Sequence, residues 1–482
     1  FFATFVAVVY LLSASLALEM KASTYAFIFY LTLLSAPPSL AFAPPSVGVS
    51  NNRPQYVTPT GKLQTFHSER RPATVTRRNV RMNAAPLDPV PLMDQATQLT
   101  SMLPTHAPSF LGSLSMDRET AEALAGPFFG GSLFPYLVFL YFLSRKENEC
   151  PKGVTVGFIT LLAFVFLTIP GAIAAQVLYG VSLADSDWLH GSAESLLTIT
   201  NLVIVIAFRQ ALSAKEKGLP MPATATSYAP MAWLAASLIA VAGVTAAVPA
   251  LMNPEVHTPY LGGFMDLPFT LESLGAFPEP DNALTVACWI IHVSSLVEFL
   301  VAMGFAWRWA DLVGNPTWKG LTWGLIPLHS SGITACTYHL FFNRIPVLVP
   351  LQAALTCLGN TTAAYAAYRI ARSNGWKSDL PFVSTLLNGT DSGDTAVEAQ
   401  GARKESQSLV GFEDLGDALA GDTDYSFLFK LFAGCAAVSY AIKYGETFFS
   451  FPYDANVYLA LAVIGIPTML NTYKWYKRSQ DP

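Results

Sequence analysis

Residues 284–309 read LTVACWIIHVSSLVEFLVAMGFAWRW, and the reading of that stretch decides the fold. Apart from Cys288, its ionisable side chains are His292, Glu298 and Arg308. A helix rises about 1.5 Å per residue, so roughly 20 apolar residues cross the hydrocarbon of a bilayer. In lipid the backbone must satisfy its own hydrogen bonds, which leaves a helix as the conformation of such a run. On either side of it, further runs of bilayer length lie at 127–144, 154–180, 190–212, 229–251, 321–342, 346–371, 427–444 and 455–474. The sequence therefore predicts an all-α, polytopic transmembrane helical bundle of about nine spans.

Composition agrees. Of 482 residues, 52% are apolar and 13% charged, about half the charge usual for a soluble domain. The five cysteines form no CxxC pair, so neither a disulfide scaffold nor a zinc ribbon is indicated. Residues 42–82 hold Arg53, Lys62, Arg70, Arg71, Arg77, Arg78 and Arg81 against Glu69, within a chain of net charge −5. The remainder of the chain, from residue 83 on, is strongly acidic, which excludes a basic-faced nucleic-acid binder. The expected partner is a lipid bilayer, and no nucleic acid.

Charge between the spans orients them. Arg145, Lys146 and Lys152 come after the first span, Lys215 and Lys217 after the third, Lys319 after the fifth, Arg372 and Lys377 after the seventh, and Lys474, Lys477 and Arg478 after the ninth. The alternate connections hold Asp185, Asp187, Glu255, Asp266, Glu272, Glu279 and Asp281, with Arg344 after the sixth span as the exception. The positive-inside rule puts the basic ends on the side of insertion.

Composition shifts along the chain divide it into segments. The chain opens with Phe, so 1–41 reads as a gene-model extension plus a signal peptide, with Lys21 before a short apolar segment and small residues at 38–41. Residues 42–82, basic and rich in Ser, Thr and Pro, read as a plastid transit peptide. A signal peptide cut before Phe42-Ala43-Pro44 and succeeded by a basic leader resembles the bipartite presequence of complex red-lineage algal plastids. That resemblance implies a plastid membrane, with thylakoid favoured over inner envelope. Residues 83–126 form the mature N-terminal segment, expected in the lumen, and 127–251 a first membrane domain of four spans. An acidic lumenal loop at 252–283 precedes a second membrane domain of three spans at 284–372. A flexible stromal linker occupies 373–426, rich in Gly, Ser, Asp and Glu, and 427–482 contains two C-terminal spans and a basic tail.

Ionisable groups inside spans are costly and are default functional candidates. On the third span His190, Glu194, Thr198 and Asn201 fall on one narrow stripe at 100° per residue. The fifth span carries His292 and Glu298, which point about 120° apart, and the sixth carries His329 and His339. The seventh adds Gln352, Thr356 and Asn360. His190, Glu194, His292 and His339 are expected near one membrane face, with Glu298 and His329 deeper. Histidines and carboxylates from separate helices can ligate a metal, a haem iron or a chlorophyll magnesium, relay protons, or simply hydrogen-bond the helices together. The identity of any metal is open. Trp289, Trp307, Trp309, Trp318 and Trp323 near span ends fit interfacial belts, and Gly130-Gly131 and Gly332 fit close helix packing. No phosphate loop, nucleophile elbow or HExxH occurs, so catalytic residues are expected to be none.

The segment Cys288-Trp-Ile-Ile-His-Val-Ser-Ser-Leu-Val-Glu298, with Asn315–Gly324, Pro327–Ser331, Ala335–His339, Asn343, Leu355–Asn360 and Tyr368-Arg369, resembles the hypothetical chloroplast reading frame number forty-nine family over about 284–372. Upstream, Phe128–Ser144 with Asp187–Glu194 and Thr200-Asn201 is similar to a second plastid membrane domain over about 128–212. The two parts echo each other: Trp188, His190 and Glu194 against Trp289, His292 and Glu298, and Thr198, Asn201 and Arg209 against Thr356, Asn360 and Arg369. This hints at an internal duplication. The resemblance implies a photosynthetic lineage and lends no site residue. The function expected is an accessory or assembly and maintenance factor for photosynthetic complexes, with complex subunits as partners. The alternatives are an ion or small-metabolite transporter and a His-ligated pigment, haem or metal protein.

Overall fold

The computed structural model describes residues 116–221, 258–260, 262–377, 415, 419 and 421–480. Among these the chain forms eight long helices and no strand: α1 (Arg118–Leu143), α2 (Lys152–Tyr179), α3 (Asp187–Glu216), α4 (Val286–Val313), α5 (Lys319–Leu340), α6 (Leu348–Ser373), α7 (Asp424–Glu446) and α8 (Val457–Gln480). The presequence at 1–82, the span at 229–251 and most of the linker at 373–426 lie outside the described residues, as does nearly all of the segment at 83–126 before α1.

Local chemistry sets the helix ends. Asp117 accepts from Thr120 N (2.7 Å) at the start of α1, and Thr285 and Thr423 cap α4 and α7 in the same way. Gly180 and Gly314 end α2 and α4 in the left-handed conformation.

Five helices, α1, α2, α3, α4 and α7, are long and apolar enough to cross a membrane. That is fewer than the nine expected. Helices α5, α6 and α8 have the length, but polar side chains dilute their hydropathy: His329, Ser330, Ser331 and Thr334 in α5, Asn360, Thr361 and Thr362 in α6, Asn471 and Thr472 in α8. The outer faces of the bundle are apolar, with Ile173, Val177, Phe429 and Met469 exposed. Water would make such a surface a liability, whereas acyl chains match it.

Helix α4 is central and packs on α3, α5 and α7; α2 packs on α3, α6 on α5 and α1, and α8 on α5. The triples α1–α3 and α4–α6 repeat each other's contacts. Asn201 Nδ2 of α3 donates to the Ser295 carbonyl of α4 (3.2 Å), and Asn360 Nδ2 of α6 donates to the Ser132 carbonyl of α1 (3.1 Å). Gly157 of α2 lets Ile204 of α3 close in, just as Gly324 of α5 admits Thr362 of α6. The sequence echo thus has matching hydrogen bonds at Asn201 and Asn360.

Two expectations are corrected. Trp289, Trp307, Trp309 and Trp318 are buried in the protein core and Trp323 is half-buried against it, not spread on a lipid-facing belt, because the faces that carry them are those packed against neighbouring helices. Gly130 and Gly131 have open space where a Cβ would stand, whereas at Gly332 an added Cβ would stand 2.8 Å from Leu296 Cδ2, as expected of close helix packing. Close approach is also made at Gly157, Gly191, Gly324 and Gly359.

Candidate functional site

Three helix ends bring His190, His292 and His339 together. His190 lies in the first turn of α3, His292 in the second turn of α4 and His339 in the last turn of α5. The chain laces these ends with side-chain bonds. Asp187 accepts from Thr285 N (2.9 Å) and Thr285 Oγ1 (3.0 Å), tying α3 to α4. Asn343, just past α5 in a left-handed conformation (φ 60°), donates to Asp185 Oδ1 (2.7 Å), tying α5 to the segment before α3. At Gly191 an added Cβ would stand 2.6 Å from Cys288 Sγ. The missing side chain is what lets α3 and α4 approach beside the histidines.

The three rings form a nearly regular triangle. Centroid separations are 5.0 Å for His190–His292, 4.9 Å for His190–His339 and 5.0 Å for His292–His339. His190 Nε2 lies 3.0 Å from His292 Nε2. One ligand nitrogen from each ring falls within 4.8 Å of the others, and the residues are 9%, 5% and 4% exposed. His292 Nδ1 faces the Cys288 carbonyl at 2.9 Å. A carbonyl only accepts, so Nδ1 carries the proton and Nε2 presents its lone pair to the centre of the triangle. His339 Nδ1 is buried with no hydrogen-bond partner.

The other residues expected in the site disperse. Glu194 sits one turn below His190 on α3, half-buried and outside the ligand group. Thr198 Oγ1 pairs with Ser295 Oγ (2.8 Å) and donates to the Ile291 carbonyl (3.1 Å), so the α3 stripe is a ladder onto α4. Thr356 Oγ1 donates to the Gln352 carbonyl (2.9 Å) and pairs with Ser331 Oγ at 2.7 Å. These hold α5 and α6 together. His329 stacks near Phe299 (6.3 Å between centroids), and neither of its ring nitrogens has a partner. Glu298 is fully buried.

Residues not singled out as site groups complete the surroundings. Lys443 of α7 is 1% exposed. Its Nζ reaches Glu279 Oε1 (3.0 Å), Asp266 Oδ2 (3.4 Å) and the Leu284 carbonyl (2.7 Å). Burial pushes the Glu279 carboxyl above its ordinary range, and the Lys443 ammonium partly opposes this. Arg118 pairs with Asp185 at the same end. A lysine so thoroughly enclosed has no signature in hydropathy. The Asp185 and Asp187 carboxylates look in sequence like loop charges.

Comparison with known proteins adds lineage. A family model described as "Protein of unknown function (DUF3593)" matches residues 125–213, and one described as "Protein of unknown function (DUF2499)" matches residues 283–369. The "Ycf49-like protein" of Synechocystis sp. is 40% identical over 99 residues, which is 20% of this chain and 95% of that protein. The "Uncharacterized protein ycf49" of Cyanophora paradoxa is 30% identical over 87 residues, 18% of this chain and 85% of that protein. No solved structure matches.

Proposed function

The chain belongs to the Ycf49-like family of cyanobacterial and plastid proteins, and on that premise we propose that it is a plastid membrane protein whose bundle holds one transition-metal ion on His190, His292 and His339. The observation that carries this reading is the buried imidazole triangle with two Nε2 atoms 3.0 Å apart. A metal–imidazole bond of about 2.0–2.1 Å places ligand nitrogens roughly 3.3–3.5 Å apart, so the rings need only small shifts to enclose an ion. Neutral imidazoles suit zinc, copper, iron or nickel. The bond from His292 Nδ1 to the Cys288 carbonyl orients the ring as outer partners orient metal ligands. A haem or chlorophyll needs a ring-sized slot beside one histidine, and here each imidazole packs against the other two.

The test is elemental analysis of the full chain purified in mild detergent and dialysed against zinc or copper. About one ion per chain is expected for the wild type, and loss of that ion in His292→Ala and in His339→Ala. A wild type that stays metal-free under both loadings sinks the reading.

The protein's place in the cell is part of the same proposal: a thylakoid of a complex red-lineage plastid, as an accessory factor in assembling or maintaining photosynthetic complexes. The cyanobacterial and plastid distribution of its relatives supports this. Gentle purification from thylakoids is expected to bring photosynthetic subunits with it, and migration only as a free monomer argues against the role.

A further inference from the structure

Glu298 of α4 is 0% exposed, and neither carboxyl oxygen has a hydrogen-bond partner. One turn back on the same face, Ser294 Oγ is also buried, beside the Cys435 thiol of α7. A serine inside a helix ordinarily returns its hydroxyl to a backbone carbonyl, as Ser330 and Ser439 do here. Glu298 and Ser294 therefore make a buried polar patch one turn long on α4 rather than a single misfit.

The patch continues along one helix. Helix α7 packs on α4, and Cys435, Ser439 and Lys443 recur at every fourth position of α7, all buried. The face they share is the one that meets α4. The Cys435 thiol lies beside Ser294, one turn from Glu298 on α4. At the far end Lys443 Nζ touches the Leu284 carbonyl just before α4, as well as Glu279 and Asp266. A polar seam thus runs about two helical turns of α7 from Lys443 at the charged end of the bundle to Cys435, and Glu298 lies about one turn further on along α4, beyond Ser294. Besides Lys443, the charged and histidine groups on the elements packed against α4 are Asp187, His190, Glu194, Arg209, Lys215 and Glu216 of α3, Lys319, His329 and His339 of α5, and Asp424, Lys430 and Glu446 of α7. Arg209 is engaged by Asp424 at the opposite end of the bundle.

We propose that Glu298 is a proton-binding site inside the membrane, loaded along the α4–α7 seam from the Lys443 end. The chemistry is a single transfer: a hydronium ion at the Glu279–Lys443 end gives up a proton, the seam passes it on, and the Glu298 carboxylate becomes the neutral acid. An apolar residue of the same volume would pack there without the desolvation cost, so packing alone does not account for a carboxyl. The inference does not depend on the histidine triangle.

The test is infrared spectroscopy of the full chain, carrying isotope-labelled glutamate, in phosphatidylcholine vesicles. A carbonyl stretch of a protonated carboxylic acid is expected in the wild type. It should shift on transfer to heavy water, fade as pH rises, and vanish in Glu298→Gln while metal content stays unchanged. Ser439→Val should slow the heavy-water shift at least tenfold. Should Glu298→Gln fail to fold, Glu298→Asp must move the band to a new frequency. A Glu298 band that neither exchanges nor titrates, or a carboxylate at every pH, overturns the proposal.

Discussion

His190 Nε2 and His292 Nε2 face each other at 3.0 Å, and His292 Nδ1 is committed to the Cys288 carbonyl. In the metal-free pair the shared hydrogen runs from His190 Nε2 to the lone pair of His292 Nε2. An ion bound between them must displace that hydrogen, and each imidazole must present a lone pair. Metal and protons therefore compete for the same nitrogens. Metal content after dialysis should be full at about pH 8 and fall once the medium is acid enough to protonate the imidazoles. Metal that stays bound until the chain itself unfolds in acid would contradict coordination by three imidazoles.

The close approach at Gly191 sets the distance between the first two histidines. A Cβ there would stand 2.6 Å from Cys288 Sγ, inside any normal contact. Gly191→Ala should therefore push α3 from α4, costing about 1–3 kcal/mol as overpacking does. It should also weaken metal retention by about tenfold or more, because ligand geometry is lost. Thermal melting and metal analysis on one preparation check both. In Gly191→Ala/Cys288→Ala the sulfur is gone, so much of the loss should be recovered.

Much of this arrangement is legible in the sequence and some is not. Runs of apolar residues announce the helices, and depth counting places His190, His292 and His339 at one end of the bundle. Which ionisable groups converge depends on the rotation of one helix against another, and a sequence does not carry that directly. His190 and Glu194 share a stripe, yet only His190 joins the triangle, because the α3–α4 contact at Gly191 and Cys288 turns the stripe so that Thr198 and Asn201 meet Ser295. Lys443 is invisible to a local reading because its partners, Glu279 and Asp266, stand at distant positions in the chain. The tryptophans mislead because a ring near a helix end is equally suited to lipid headgroups and to a neighbouring helix.

Lys443 holds α7 against the start of α4 with a buried ammonium. Lys443→Met keeps the stem but leaves Glu279 and Asp266 facing each other, with the partly unpartnered Glu446 close by. Removing one partner of a buried ion pair costs about 3–5 kcal/mol, so Lys443→Met should unfold at clearly lower denaturant. Lys443→Met/Glu279→Leu should recover part of the loss, since a buried pair can be replaced by apolar packing. Equal stability of Lys443→Met and wild type would show that this cluster is solvated.

Glu279 gives this end of the molecule a pH dependence of predictable sign. Burial raises its carboxyl above the ordinary value of 4.5, with Lys443 opposing the shift. A raised value means that the folded chain binds the proton more tightly than the unfolded chain does. The group's contribution to stability is then fully present below 4.5 and is lost as pH rises through the folded-state value. Stability should accordingly decline from about pH 4.5 upward over the window this group controls, the reverse of a salt-bridged surface carboxylate. Glu279→Gln stays neutral in both states and should flatten that part of the curve. Chemical denaturation of the wild type and Glu279→Gln at several pH values separates the two. If the wild type instead gains stability with pH relative to Glu279→Gln, the Lys443 ion pair outweighs burial at this site.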